Sequence, residues 1–215
     1  MTAHPFSASS LILAIIAPLL CLILSSGANA EMLSDKALVS ALREGGYVLV
    51  MRHASSPLIK PDKATADPGN PDRERQLDQS GKDAAQAMGK AIHALHIPIG
   101  NVISSPAFRA VQTVRLAGLG EPMTFKELAE GAKGMQSKVG PKAVTFLRHR
   151  AEERPAKGTD TLVVTHTPNI KATFGPEAAG IISGEALVFH PDGKGGTTLV
   201  GRVKIADWPG LAETN

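Results

Sequence analysis

Residues 45–55 read GGYVLVMRHAS, and this stretch decides the fold. The run YVLVM at 47–51 contains no charged residue and lies between a glycine pair and Arg52. A short continuous apolar run of this kind is a strand covered on both faces, as in a parallel sheet sandwiched between helices. Arg52 and His53 then fall just past the carboxyl end of the strand, where open α/β sheets bind their ligands. Two later segments are built the same way. NVI at 101–103 runs into Ser104, Ser105 and Pro106, with Arg109 shortly after, and TLVVT at 161–165 runs into His166, Thr167 and Pro168.

Helical patterns fill the spaces between these strands. Ser34 and Asp35 can cap a helix through KALVSALRE at 36–44, which Gly45 and Gly46 end. Ser80 opens a second helix, in which Ala84, Ala85, Met88, Ala91, Ile92 and Leu95 recur at helical spacing. Ser105 and Pro106 read as the cap and first-turn proline of a third, ending near Gly118. A fourth covers about 144–153. Two further strands, 185–189 and 197–205, are joined by the turn DGKGG at 192–196. The polar stretch 55–79 has the length and composition of a functional loop. This order predicts an α/β fold, a three-layer sandwich with a mostly parallel central sheet and helices on both faces.

Composition narrows the function. The 215 residues are 43% apolar and 20% charged with a net charge of +3, a globular balance. The positive excess is too thin for a nucleic-acid footprint but suits an anionic substrate. Cys21 is the only cysteine, which excludes an internal disulfide framework and a cysteine zinc cage. Residues 1–30 carry no Lys, Arg, Asp or Glu, and the apolar run LILAIIAPLLCLIL at 11–24 precedes Ala28 and Ala30 in an A-x-A arrangement. The run is short for a membrane span and has the form of a secretory signal peptide. Cleavage after Ala30 would leave 31–215 as one domain, periplasmic or secreted, without cysteine and without a membrane attachment. Nothing in the sequence speaks to oligomeric state.

Arg52, His53, Arg109 and His166 all stand at strand ends or one helical turn beyond. Arg109 leans back toward the start of its helix, and so toward the mouth of the sheet. A lone histidine at a strand end is most often structural, but four such groups at successive strand ends make a site. Guanidinium forks stay charged at any working pH and pair with phosphate oxygens, so the site suits a phosphoryl group. The helix N-terminus beside Arg109 would add amide donors.

The segments that carry these residues resemble a known family. VLVMRHASS at 48–56, RQLDQSGKDAAQAMGKAI at 75–92, VISSPAFRAVQTVRLA at 102–117 and LVVTHTPNI at 162–170 are similar, in order, to the blocks of the histidine phosphatase superfamily, the phosphoglycerate-mutase-like group. The C-terminal segments GEALVFHPDGKGG and LVGRVKIADW further resemble its exported bacterial members. The resemblance implies that His53 is a nucleophile forming a phosphohistidine. It implies that Arg52, Arg109 and His166 hold the phosphoryl oxygens, with no metal and no other cofactor. A neutral imidazole is a competent nucleophile, and two displacements are each easier than one.

Departure of an alkoxide needs a proton donor. The candidates are Glu130 and Glu127, with Glu121 in the same segment, and Glu185 at the start of the strand after His166. The sequence leaves the choice open. The expectation is an exported phosphatase acting on a small phosphorylated substrate, a phosphomonoester or phosphoanhydride. The alternatives are a non-catalytic protein binding phosphate or a phosphorylated headgroup, and a phosphomutase, against which the export signal argues. Lys60, Lys63, Arg73 and Arg75 in the 55–79 loop suit a multiply anionic substrate. Asn169 is placed to order the His166 loop, and Trp208 to pin the C-terminal segment.

Overall fold

Six strands form one sheet in the order β3-β2-β4-β1-β5-β6: β1 Val48–Arg52, β2 Ile99–Ser104, β3 Met123–Thr124, β4 Asp160–Thr165, β5 Ala186–Pro191 and β6 Thr197–Val203. The computed structural model describes residues 1–2, 32–57, 74–130 and 139–214. The apolar segment read as a signal peptide, and the loop residues Lys60, Lys63 and Arg73, lie outside them. The first four strands run parallel, while β5 is antiparallel to β1 and β6 to β5. The helices are α1 Asp35–Glu44, α2 Gln79–Ala94, α3 Phe108–Leu116, α4 Pro141–Glu152, α5 Thr167–Phe174 and α6 Trp208–Thr214.

Alternation along the strands sorts the core into two layers. Leu49 and Met51, Leu162 and Val164, and Ala186 and Val188 face α1, α2, α3 and α6, meeting Leu42, Met88, Val114 and Trp208. Val48 and Val50, Val163, Leu187 and Phe189 face the other way, onto Leu147 of α4 and Ile170 and Phe174 of α5. Because both faces are covered, the central strands are apolar along their middles (Val48–Met51, Leu162–Val164, Ala186–Phe189), which is why they read as continuous runs. The three-layer arrangement with a mostly parallel sheet is the one read from the sequence.

Several boundaries differ from that reading. α3 begins at Phe108, not at Ser105, because the Ser105 hydroxyl takes the Ala107 amide (3.2 Å) in a local turn before the helix. α2 is capped by Asp78, whose carboxylate accepts from the Gly81 amide at 2.7 Å. A Cβ on Gly81 would lie 2.2 Å from the Ser55 carbonyl oxygen, so glycine is what lets this helix start against the exit of β1. α4 starts at Pro141, a proline tolerated in a first turn. The two-residue β3 and the terminal α6 were not anticipated: one is too short for any period, and Pro209 and Gly210 disguise the other. Trp208 is fully buried within that helix, as its expected pinning role requires.

Register sets the site. Arg52 pairs with Thr165 and Ser104 with Val164. The His53 amide bonds the Thr165 carbonyl (3.0 Å) and the Ser105 amide that of Val164 (2.9 Å). His53, His166 and Ser105 therefore leave the sheet at one level.

Candidate active site

Each imidazole is fixed by one partner at each nitrogen. In His53, Nδ1 lies 2.7 Å from the Ala54 carbonyl oxygen. A carbonyl only accepts, so Nδ1 carries the hydrogen and Nε2 keeps its lone pair. Arg109 Nε donates toward that Nε2 at 3.2 Å. In His166, Arg109 Nη2 donates to Nδ1 (3.2 Å), so the Nε2–H donates to Ser105 Oγ (2.8 Å). The two rings meet edge to face with centroids 5.2 Å apart. One guanidinium thus bridges both histidines.

Burial keeps the rings neutral. His53 and His166 are 2% and 1% exposed. Desolvation, followed by the Arg109 charge, pushes both well below the ordinary histidine range. Arg52, half-buried at the end of β1, is lowered from its ordinary range by burial and by the nearby Arg75. A neutral ring nitrogen that keeps its lone pair, held only by an Arg109 N–H and set among guanidinium groups, is equipped to attack an electrophile that arrives as an anion.

The structure separates the four glutamates. Glu130 Oε2 accepts from Arg109 Nη2 at 2.5 Å and lies 3.7 Å from His166 Nδ1, with its side chain 24% exposed. Its segment is held by three successive carbonyls. Thr165 Oγ1 donates to that of Leu128 (2.8 Å), and Asn169 Nδ2 to those of Glu127 (3.2 Å) and Ala129 (3.4 Å). Asn169, expected to order the His166 loop, thereby ties that loop to the Glu130 segment. The Glu127 carboxylate makes no hydrogen bond or ion pair among the described residues. Glu121 pairs with exposed Arg115. Glu185 is turned away: its carboxylate takes Arg202 Nε (2.9 Å) and the Ile182 amide (3.0 Å). Only its backbone serves the site, its carbonyl accepting from the Arg52 amide at 3.0 Å.

Other residues hold the machinery in place. Thr113 Oγ1 donates to the Arg109 carbonyl (2.8 Å) and accepts from the Ala54 amide (3.1 Å), fixing the peptide that sets the His53 tautomer. Ser56 Oγ donates to the Gln76 carbonyl (2.6 Å), and the Leu77 amide to Gln112 Oε1 (2.9 Å). Of the expected amide donors of α3, that of Phe108 is taken: it donates to the carboxylate of buried Glu74. Sequence reading missed Thr113 and Glu74. The one available signal was Thr113 four residues after Arg109, on the same helical face. Among the described residues, no cluster of three or more His, Cys, Asp or Glu has the arrangement of a metal site.

No protein-family model matches the chain, and no curated protein matches it. Solved structures do match its fold. The chain is 20% identical to the protein histidine phosphatase SixA in complex with tungstate, covering 75% of this chain and 98% of that one with a TM-score of 0.55. A protein of Agrobacterium tumefaciens described as a phosphohistidine phosphatase SixA is 16% identical, with 74% and 97% covered and a TM-score of 0.51. An Escherichia coli protein described as an alpha-ribazole-5'-P phosphatase is 14% identical, with 72% and 95% covered and a TM-score of 0.51. The fold is that of the histidine phosphatases.

Proposed function

We propose that the protein is an exported phosphatase that hydrolyses a small phosphorylated substrate, a phosphomonoester or phosphoanhydride, through a phosphohistidine on His53. One observation carries the reading: a single guanidinium, Arg109, bonds His53, His166 and Glu130 together beneath the ends of β1 and β4. The likeness to a fold seen with tungstate, a tetrahedral oxyanion, supports it. Export rests on the A-x-A segment ending at Ala30.

In the first displacement the lone pair of His53 Nε2 forms the N–P bond while the bond from phosphorus to the leaving oxygen breaks. Arg52, Arg109 and His166 take the charge that spreads over the equatorial oxygens. Glu130 stands at the edge of this cluster and gives the leaving oxygen its proton. In the second, Glu130 takes a proton from water, the water oxygen attacks phosphorus, the N–P bond breaks, and inorganic phosphate leaves. The Ala54 carbonyl holds the Nδ1–H throughout, so the nucleophilic tautomer is restored without rearrangement.

The test is phosphate release from a panel of aryl, alkyl and anhydride phosphates, with the wild type and His53→Ala. Turnover by the wild type and its loss in the variant are expected. Undiminished turnover in the folded variant would remove His53 from the reaction. Hydrolysis of aryl but not alkyl phosphates would show that no effective acid is present. Absence of release from every compound favours the phosphate-binding alternative.

A further inference from the structure

In the proposed reaction Arg109 and His166 carry phosphoryl oxygens, yet one carboxylate oxygen already lies against both. Glu130 Oε2 is 2.5 Å from Arg109 Nη2 and 3.7 Å from His166 Nδ1. The same Nη2 donates to His166 Nδ1, and Arg109 Nε covers the lone pair of His53 Nε2. In this arrangement the carboxylate, the guanidinium and the two imidazoles close on one another.

A carboxylate oxygen and a phosphoryl oxygen make the same charge-assisted bond to a guanidinium. A phosphoryl group that takes this place on Arg109 must therefore move Glu130 aside. The fold permits that movement. The bonds from Thr165 and Asn169 fasten the carbonyls of Glu127, Leu128 and Ala129, which gives the Glu130 side chain a fixed base. The side chain itself is 24% exposed and has water to turn into.

The geometry points to a second part for Glu130, as an internal ligand whose carboxylate competes with phosphate for Arg109. This rests on the phosphoryl-binding part of the proposed function and does not require turnover. An entering phosphoryl group breaks the Arg109–Glu130 bond and replaces it with its own. The displaced carboxylate is left beside the phosphoryl group, where the leaving oxygen needs its proton. When inorganic phosphate departs the pair forms again, so the site gives up affinity for its product and releases it sooner. Breaking a partly buried charged pair weakens the binding of every anion by the same factor. A carboxylate that only repelled anions from a fixed place would act about twice as strongly on a dianion as on a monoanion.

The experiment is calorimetric titration of the full chain, as wild type, Glu130→Gln and Glu130→Ala, with phenylphosphonate and with methylphenylphosphinate. Neither probe has an ester bond to split, and above the second ionisation of the phosphonate the first is a dianion and the second a monoanion. Both variants are expected to bind both probes about tenfold more tightly than the wild type, with equal gains for the two charges. Inorganic phosphate should inhibit aryl phosphate hydrolysis by Glu130→Gln at about a tenth of the wild-type concentration. Affinities equal to or weaker than the wild type in both variants overturn the inference and leave the reaction at His53 in place. A gain confined to the phosphonate overturns it too, since it marks a fixed repelling charge. Failure of all three proteins to bind either probe defeats the phosphoryl-binding reading, and the inference with it. The expected gains in a chain that turns over nothing defeat the catalytic reading alone.

Discussion

The two ends of the central sheet both bury ionisable groups, but with different partners. At the carboxyl ends of β1 and β4, His53 and His166 are bonded to Arg109, a side chain from another element. At the amino end of β4, Asp160 is equally inaccessible, and its Oδ1 takes the Tyr47 amide at 2.8 Å while Oδ2 has no partner. Burial pushes Asp160 up to about 7, against the opposing pull of the Tyr47 amide bond. A cavity of about 160 Å³ opens near it between Gly100, Arg150, Arg154 and Thr161, with neither histidine in its wall. Burial neutralises groups at both ends. Side-chain partners drawn from several elements can regroup around a ligand, whereas backbone amides cannot, so one end is the candidate site and the other a staple that joins β4 to the start of β1.

Removing the shared guanidinium breaks the first end most severely. Arg109→Gln is expected to lower kcat on an aryl phosphate about 10³-fold, since it withdraws donors from both imidazoles and from the bound phosphoryl group. A loss of less than tenfold in steady-state kinetics would show that Arg109 does not organise the site.

The two ends carry opposite pH signatures. His53 and His166 lie well below their ordinary 6.5, so the unfolded chain binds protons first and stability falls as pH drops below about 6.5. Asp160 is raised from 3.8 to about 7. Across that interval the folded chain holds a proton that the unfolded chain has released, so stability present at low pH is lost as pH rises through about 7. The stability difference between the wild type and Asp160→Asn, by denaturant titration, should shift by on the order of 2–4 kcal/mol across this interval. A variant as pH-dependent as the wild type across this interval would contradict the staple.

Glu130 and Glu185 restate the contrast within one residue type. Glu130→Gln is expected to cost about 10²-fold in kcat on alkyl phosphates and much less on aryl ones, whose leaving group scarcely needs a proton. Glu185→Gln keeps an acceptor for Arg202 and Ile182, and its kcat should stay within about twofold of the wild type while stability drops by about 1 kcal/mol. Equal losses in the two variants would reopen the assignment of the acid.

Thr113→Val gives the smallest expected effect. It leaves the buried Ala54 amide without an acceptor, at about 1 kcal/mol of stability. Because Ala54 sets the His53 tautomer, kcat should fall several-fold with KM little changed, and Thr113→Ser should restore it. A stability loss with full kcat would make Thr113 structural only.

The sequence by itself determined the layered fold and the place of four candidate site residues at strand ends. Both follow from local signals: a strand covered on both faces must be apolar throughout, and Arg52, His53, Arg109 and His166 stand at or just after such strands. It could not choose among Glu121, Glu127, Glu130 and Glu185, because a carboxylate on a loop has the same local signature wherever it points. The tertiary structure separates them by position, through Thr165 and Asn169, which hold the carbonyls ahead of Glu130, and through Arg202, which draws Glu185 away. It also placed Glu74 and Thr113. Their positions depend on hydrogen bonds between segments tens of residues apart, and no period or spacing along the chain encodes such a bond.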